Sequence, residues 1–121
     1  VSPFAALLRA AVEKVPRAVG GAFAASDGEM VDFYAAGTDP TEWAILTAHY
    51  GVVLAHLESV FDTWHFGGPH YFVVEHSRLD VLVHTVADGY YALLAVEQPA
   101  PLAAALTALA DVAGALRREM A

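Results

Sequence analysis

The longest unbroken pattern in the chain runs from Asp39 to Trp64, DPTEWAILTAHYGVVLAHLESVFDTW, where apolar positions recur at helical rather than alternating spacing. Asp39 before Pro40 reads as an N-cap with proline in the first turn, and Thr41 and Glu42 place an acceptor and a negative charge where the helix dipole favours them. Trp43, Leu46, Tyr50, Val53, Leu54, Leu57, Phe61 and Trp64 fall on one broad side, the side expected to lie on a sheet. Beside it runs a second stripe through Glu42, Ile45, His49, Val52, His56, Val60 and Thr63. Its spacing of three and four is coiled-coil-like, and its two histidines suit a contact that is buried yet partly polar. Ala44, Thr47, Ala48, Gly51, Ala55, Glu58, Ser59 and Asp62 make up the remaining side. A helix with two apolar sides belongs either at the centre of one domain or against its own copy across a dimer.

The segments around this helix punctuate themselves. Ser2 and Pro3 start a short amphipathic helix carrying Phe4, Leu7, Leu8, Ala11, Val12 and Val15, and Pro16 ends it. Arg9, Glu13, Lys14 and Arg17 lie off its apolar stripe and read as a solvated face. Ala18 to Ala25 and Met30 to Ala36 are strand-like runs joined by Asp27-Gly28, a pair that favours a tight hairpin, with Gly37 closing the unit. Gly20 and Gly21 inside the first strand predict a bulge or a close backbone approach. After the Gly67-Gly68-Pro69 connection come Tyr71 to His76, Leu79 to Ala87 and Tyr90 to Val96, separated by Ser77-Arg78 and Asp88-Gly89, which read as an antiparallel meander. In the middle run Leu82, His84 and Val86 point one way and Val81, Val83 and Thr85 the other, so helices are expected on both faces. Pro99 and Pro101 stop the last strand, and Leu102 to Met120 repeats a single apolar stripe, Leu102, Leu106, Leu109, Ala113, Leu116 and Met120. The order is α-β-β-α-β-β-β-α, an α+β fold with a five-stranded antiparallel sheet between helices.

Composition narrows what this fold can do. At 121 residues the chain is expected to form one domain, 1–121. Cysteine is absent, which removes disulfides, thiolate metal sites and cysteine nucleophiles and fits a reducing compartment. Fourteen acidic against six basic residues give a formal charge of −8, which disfavours nucleic acid as a partner. Apolar runs are interrupted by Glu, His or Asp before they reach the length of a membrane span, and no signal peptide is legible, so cytoplasm is the default location.

Candidate chemistry is sparse. His49 and His56 share a face but stand about 10.5 Å apart along a helix axis, too far for one metal. No HExxH occurs, and His65 with His70 supplies only two loop ligands; His76 and His84 lie on strands. No phosphate loop follows Gly20-Gly21, and no GxSxG elbow frames a serine. No cofactor, catalytic residue or metal site is therefore expected. The one enzyme reading to weigh is a hot-dog-like thioesterase, in which a sheet wraps a helix bearing an acid such as Glu42, Glu58 or Asp62; a small ligand-binding α+β domain belongs to the same class.

The order of elements, with AFAASDGEMVDFYAAG as opening hairpin, VEHSRLDVLVHTVADGYYALLAV as meander and an Ala/Leu-rich final helix, resembles the roadblock/dynein light-chain family over nearly the whole chain. The resemblance implies a roadblock/longin/profilin-like α/β/α sandwich. It also implies a homodimer joined through the first meander strand, Tyr71, Phe72, Val73, Val74, Glu75 and His76, and through the helix stripe Ile45, His49, Val52 and His56. Bacterial MglB-like members work with small Ras-like GTPases, so the expected role is that of a non-enzymatic module that binds or regulates such a GTPase, or a paralogous roadblock protein. DGEMVDFY and AHYGVVLAHLE are closer to a divergent MglB paralogue, an adaptor, than to an activator.

Overall fold

Every expected element forms, in the expected order: α1 (Pro3–Lys14), β1 (Ala18–Ala25), β2 (Met30–Ala35), α2 (Pro40–Asp62), β3 (Tyr71–Glu75), β4 (Leu79–Ala87), β5 (Tyr90–Glu97) and α3 (Leu102–Met120). The structure is a computed structural model that describes residues 2–35, 39–62, 65 and 67–121. Ala36 and Gly37 at the end of the first hairpin, and Thr63 and Trp64 at the end of the long helix, lie outside the described residues. β3 stops one residue before His76, whose N–H donates to the Leu79 carbonyl at 2.8 Å and so closes the turn into β4. β5 runs one residue longer than expected: Glu97 pairs with Leu79 on β4, and its N–H reaches the Arg17 carbonyl at 2.9 Å.

Local chemistry accounts for the boundaries. Ser2 caps α1, its Oγ accepting from the Ala5 N–H at 3.0 Å, while its hydroxyl donates to the Asp32 carboxylate and ties α1 to β2. Both Asp-Gly pairs make turns with glycine in the left-handed region, Gly28 at φ 94° and Gly89 at φ 80°. At the first, the Asp27 carboxylate accepts from the Glu29 N–H at 3.0 Å.

The strands form one antiparallel sheet in the order β2-β1-β5-β4-β3. α1 and α3 cover one face, burying Leu8, Phe23, Leu82, Val86, Leu94, Leu109 and Leu116. α2 covers the other over Ala22, Trp43, Tyr50, Leu54, Val81, Val83 and Leu93. Val81 and Val83 thus face one core and Leu82 and Val86 the other, as strand alternation requires. Gly20 combines both expectations for its strand: the pairing with β5 shifts between Ala18 and Gly20, and a Cβ on Gly20 would stand 2.8 Å from the Trp43 ring.

α2 is turned about its axis relative to the expectation. Its buried residues are Trp43, Thr47, Tyr50, Gly51 and Leu54, so Thr47 and Gly51 move from the expected outer side to the core, and Val53 moves out to 39% exposed. Tyr91 on β5 causes this. Its ring fits beneath Gly51, where a Cβ would lie 2.7 Å from the hydroxyl, and that hydroxyl donates to the Thr47 carbonyl at 2.7 Å. Thr47 in turn donates to the Trp43 carbonyl at 2.8 Å. A close approach needs small residues on the sheet side, and apolar counting assigns them outward.

By length and composition alone α2 could cross a membrane, with a mean hydropathy of 1.3 over an 18-residue window. The sequence expectation of no sufficiently apolar run is corrected to that extent. The helix nevertheless lies on the sheet through the five residues just named, and only 22% of that window is buried within the chain. Most of α2 therefore faces away from its own core.

Candidate interaction surface

The outward side of α2 is apolar where an ordinary surface helix would be charged. Ile45, Val52 and Val60 are 53%, 57% and 56% exposed, with His49 and His56 between them on the same stripe. From Trp43 to Leu57 the helix holds no Asp, Glu, Lys or Arg. Glu42, Glu58 and Asp62 mark its ends, and no basic residue occurs anywhere in it. Isolated exposed aliphatics are ordinary on a protein surface, but a stripe of them along more than four turns of one helix makes a candidate contact surface.

β3 is an edge strand, paired with β4 and with no described strand on its other side. Its side chains are divided between the two cores. Phe72 and Val74 lean on the α2 side, Val73 on the side of α1 and α3, and all three are half-buried. Tyr71 is 52% exposed and stacks on His84, its partner in register, at 6.3 Å between ring centroids; Glu75 is exposed. What β3 can offer a partner is therefore its backbone edge, with Tyr71 and Glu75 at its two ends.

The tie between these elements is one the sequence does not reveal. The Tyr50 hydroxyl on α2 is hydrogen-bonded to Nε2 of His76 just beyond β3, and the Tyr50 ring stacks on Phe72 at 6.4 Å. Burial raises the Tyr50 hydroxyl above its ordinary value, which keeps it protonated and able to donate. Twenty-six residues separate the two, so no local spacing signals the contact. Beyond it lies a polar corner in which the Gln98 amide donates to the His76 carbonyl at 2.7 Å and to the carboxylate of Asp80, a buried residue, at 2.8 Å.

The structure does not assemble the hot-dog arrangement. The sheet lies between two helical layers instead of wrapping α2, and Glu42 and Glu58 stand exposed. Among the described residues no three His, Asp or Glu side chains converge as a metal site requires. A cavity of about 260 Å³ opens between the C-terminal half of α2 and the β4–β5 turn, lined among others by Leu54, Glu58, His70, Thr85 and Asp88. Within it the Thr85 hydroxyl donates to the His70 carbonyl, and a wider cleft of about 750 Å³ opens at the corner of Glu75, His76, Asp80 and Gln98.

No family model matches the chain, and no curated protein matches it. Solved structures do. A roadblock/LC7 domain from Streptomyces avermitilis superposes with a TM-score of 0.86 at 19% identity, covering 94% of each chain. The gliding protein MglB from Thermus thermophilus gives 0.85 at 16% identity over 96% of this chain and 88% of its own. MglB from Myxococcus xanthus gives 0.88 at 8% identity over 98% and 95%. The chain has the roadblock/LC7 fold, shared over nearly its whole length at identities where fold persists and side chains do not.

Proposed function

We propose that this roadblock-fold chain works without catalysis, as a homodimeric module that binds or regulates a small Ras-like GTPase as scaffold, adaptor or activator. The observation that carries the reading is the bare α2 face: an uncharged stripe from Ile45 to Val60, more than half exposed at three of its aliphatic positions, on a helix that otherwise covers its sheet. The stripe Ile45, His49, Val52 and His56 and the edge Tyr71 to Glu75 with His76 are its contact residues. Two such helices meeting across a two-fold axis would bury the stripe, and the backbone edge of β3 can extend the sheet beside it. The divergent character of DGEMVDFY and AHYGVVLAHLE favours adaptor over activator. A paralogous roadblock subunit is the second partner that the same surface admits.

The test has two stages. Sedimentation over a dilution series first asks whether the chain is a dimer at micromolar concentration. The dimer is then titrated with the small Ras-like GTPases of its host, each loaded with GDP or a slowly hydrolysed GTP analogue, and hydrolysis of GTP is followed alongside. Binding to one loaded form with unchanged hydrolysis is the adaptor outcome expected. A monomer, or a dimer that binds no GTPase in either state, overturns the reading.

A further inference from the structure

Asp80 is a carboxylate buried without a cation. The residue is only 4% exposed, yet the ion pair among the described residues joins Arg9 to Glu13, far along the chain, and none reaches Asp80. Its Oδ1 accepts from the Gln98 amide at 2.8 Å, whereas Oδ2 has no donor among the described residues and is not closed off from solvent. Burying a carboxylate is costly unless its charge is met, and one neutral amide meets it only in part.

Glu75 enlarges the deficit. It is the residue on β3 directly opposite Asp80 on β4, and residues so placed stand about 4.5–5.5 Å apart at Cβ. Both project to the α1 and α3 side of the sheet, since the next pair on that side, Val73 and Leu82, packs on that core while Val74, Leu79 and Val81 pack under α2. Like charges directly opposite across two strands repel. The arginines of this corner do not relieve them. Arg17 donates its guanidinium to the carbonyls of Glu97 and Gln98, and Arg78, exposed between β3 and β4, makes no ion pair among the described residues.

Both acidic residues line the cleft of about 750 Å³, whose other walls include Gln98, Pro99, Ala100 and the partly exposed Leu102. Gln98 sets the arrangement in advance: its amide nitrogen donates to the His76 carbonyl at 2.7 Å and to Asp80 at 2.8 Å, which uses both of its N–H groups. The positive end of the α3 dipole at Leu102 offsets part of the negative charge and still leaves Oδ2 open.

We propose that this cleft seats an arginine side chain presented by a protein partner, with the guanidinium bridging Glu75 and Asp80. Two carboxylates side by side suit a planar fork of N–H donors better than the point charge of a lysine. The uncharged wall of Pro99, Ala100 and Leu102 lies where the aliphatic stem of such a side chain would pack. A metal ion fits less well, since no three His, Asp or Glu side chains converge there among the described residues. The formal charge of −8 draws a basic partner toward the chain. The cleft is on the opposite side of the sheet from the α2 stripe, so the proposal stands whether or not that stripe pairs with a copy.

The test is a titration of the full chain followed by its amide NMR signals. The probes are N-acetyl-arginine-methylamide, an arginine side chain on a capped backbone, and its citrulline counterpart, which has nearly the same shape without the charge. The amides of Glu75, Asp80 and Gln98 should shift saturably with the arginine probe, and the citrulline probe should bind at least about tenfold more weakly. Glu75→Gln alters an exposed side chain, so it should weaken the arginine probe several-fold while raising the Tm of the free chain by about 1 °C or more. A merely structural Glu75 would lower Tm instead. Asp80→Asn should abolish the shifts, and should its burial cost the fold, Glu75→Gln decides alone. Equal binding of the two probes, shifts confined to other residues, or a Glu75→Gln chain that binds as the parent does overturns the proposal. Agmatine or free arginine binding where the capped probe does not would assign the cleft to a small metabolite and overturn the protein source. A probe that binds only after Arg78→Gln would show that the chain's own arginine fills the cleft, and calcium chloride that displaces the probe from the same amides would make it a metal site; each overturns the proposal.

Discussion

At the scale of single residues, the decisive contact is the seat of Tyr91 under α2. Gly51→Ala improves helix propensity by about 1 kcal/mol, yet the new methyl would meet the Tyr91 hydroxyl at 2.7 Å and its ring carbons at 3.2 Å. Overpacking of that kind costs about 1–3 kcal/mol, so the variant should be destabilised in urea denaturation, and Tyr91→Phe in the same chain should restore part of the loss. A stabilised Gly51→Ala would mean that helix and sheet separate more easily than this contact implies. Tyr91 also makes an alkaline prediction. Burial pushes its hydroxyl up to about 12, the Asp27 carboxylate adds to the rise, and the Gly51 backbone opposes it. The unfolded chain gives up this proton near pH 10 and the folded chain only near 12, so the stabilising difference is intact below 10 and is lost as pH rises through about 12. Thermal unfolding between those limits should show a stability slope that Tyr91→Phe removes.

At the scale of elements, the same contact separates what could be read from the sequence from what could not. α3 matches its expected span because a proline stop and helical apolar spacing are local signals, although Leu102 and Met120 of the expected stripe stand exposed while Ala105, Ala108 and Val112 are buried; the hairpins follow from Asp27-Gly28 and Asp88-Gly89 for the same reason. α2 was legible as a helix with a second apolar stripe, and Ile45, Val52 and Val60 on that stripe stand exposed in the isolated chain. Its rotation was not legible, because Thr47 and Gly51 are buried by a tyrosine on β5, distant in sequence and invisible to periodicity. The Tyr50–His76 tie escaped in the same way. The stripe yields a prediction at this scale: Val52→Asp places a charge on the outer face of α2, where nothing in its own subunit packs closely. Subunit stability should stay within about 0.5 kcal/mol of the parent, with an unchanged helical signal. Self-association should be lost by sedimentation, because the charge would be buried without a partner in the uncharged stripe. A variant that still dimerises would move the contact away from α2.

At the scale of the whole molecule, the distribution of charge decides how copies meet. Each chain carries a formal charge of −8, and its six basic residues, Arg9, Lys14, Arg17, Arg78, Arg117 and Arg118, all lie outside α2. The charged residues on α2 itself, apart from its histidines, are Glu42, Glu58 and Asp62, so two copies joined there bring acid toward acid with no lysine or arginine on either helix to offset it. An interface of this kind is held by burial of uncharged surface and opposed by long-range repulsion. Salt weakens the repulsion and leaves the burial: the screening length falls from about 10 Å at 0.1 M to about 3 Å at 1 M. The dimer Kd should therefore fall by a few-fold between those two concentrations of sodium chloride, measured at a pH where the histidines are neutral. An interface built from the basic residues of α1 or α3 against the acidic remainder would respond in the opposite direction, because screening would weaken its attraction. A Kd that rises with salt would thus exclude the α2 face as the site of pairing and direct the search to the charged helical layer on the other side of the sheet.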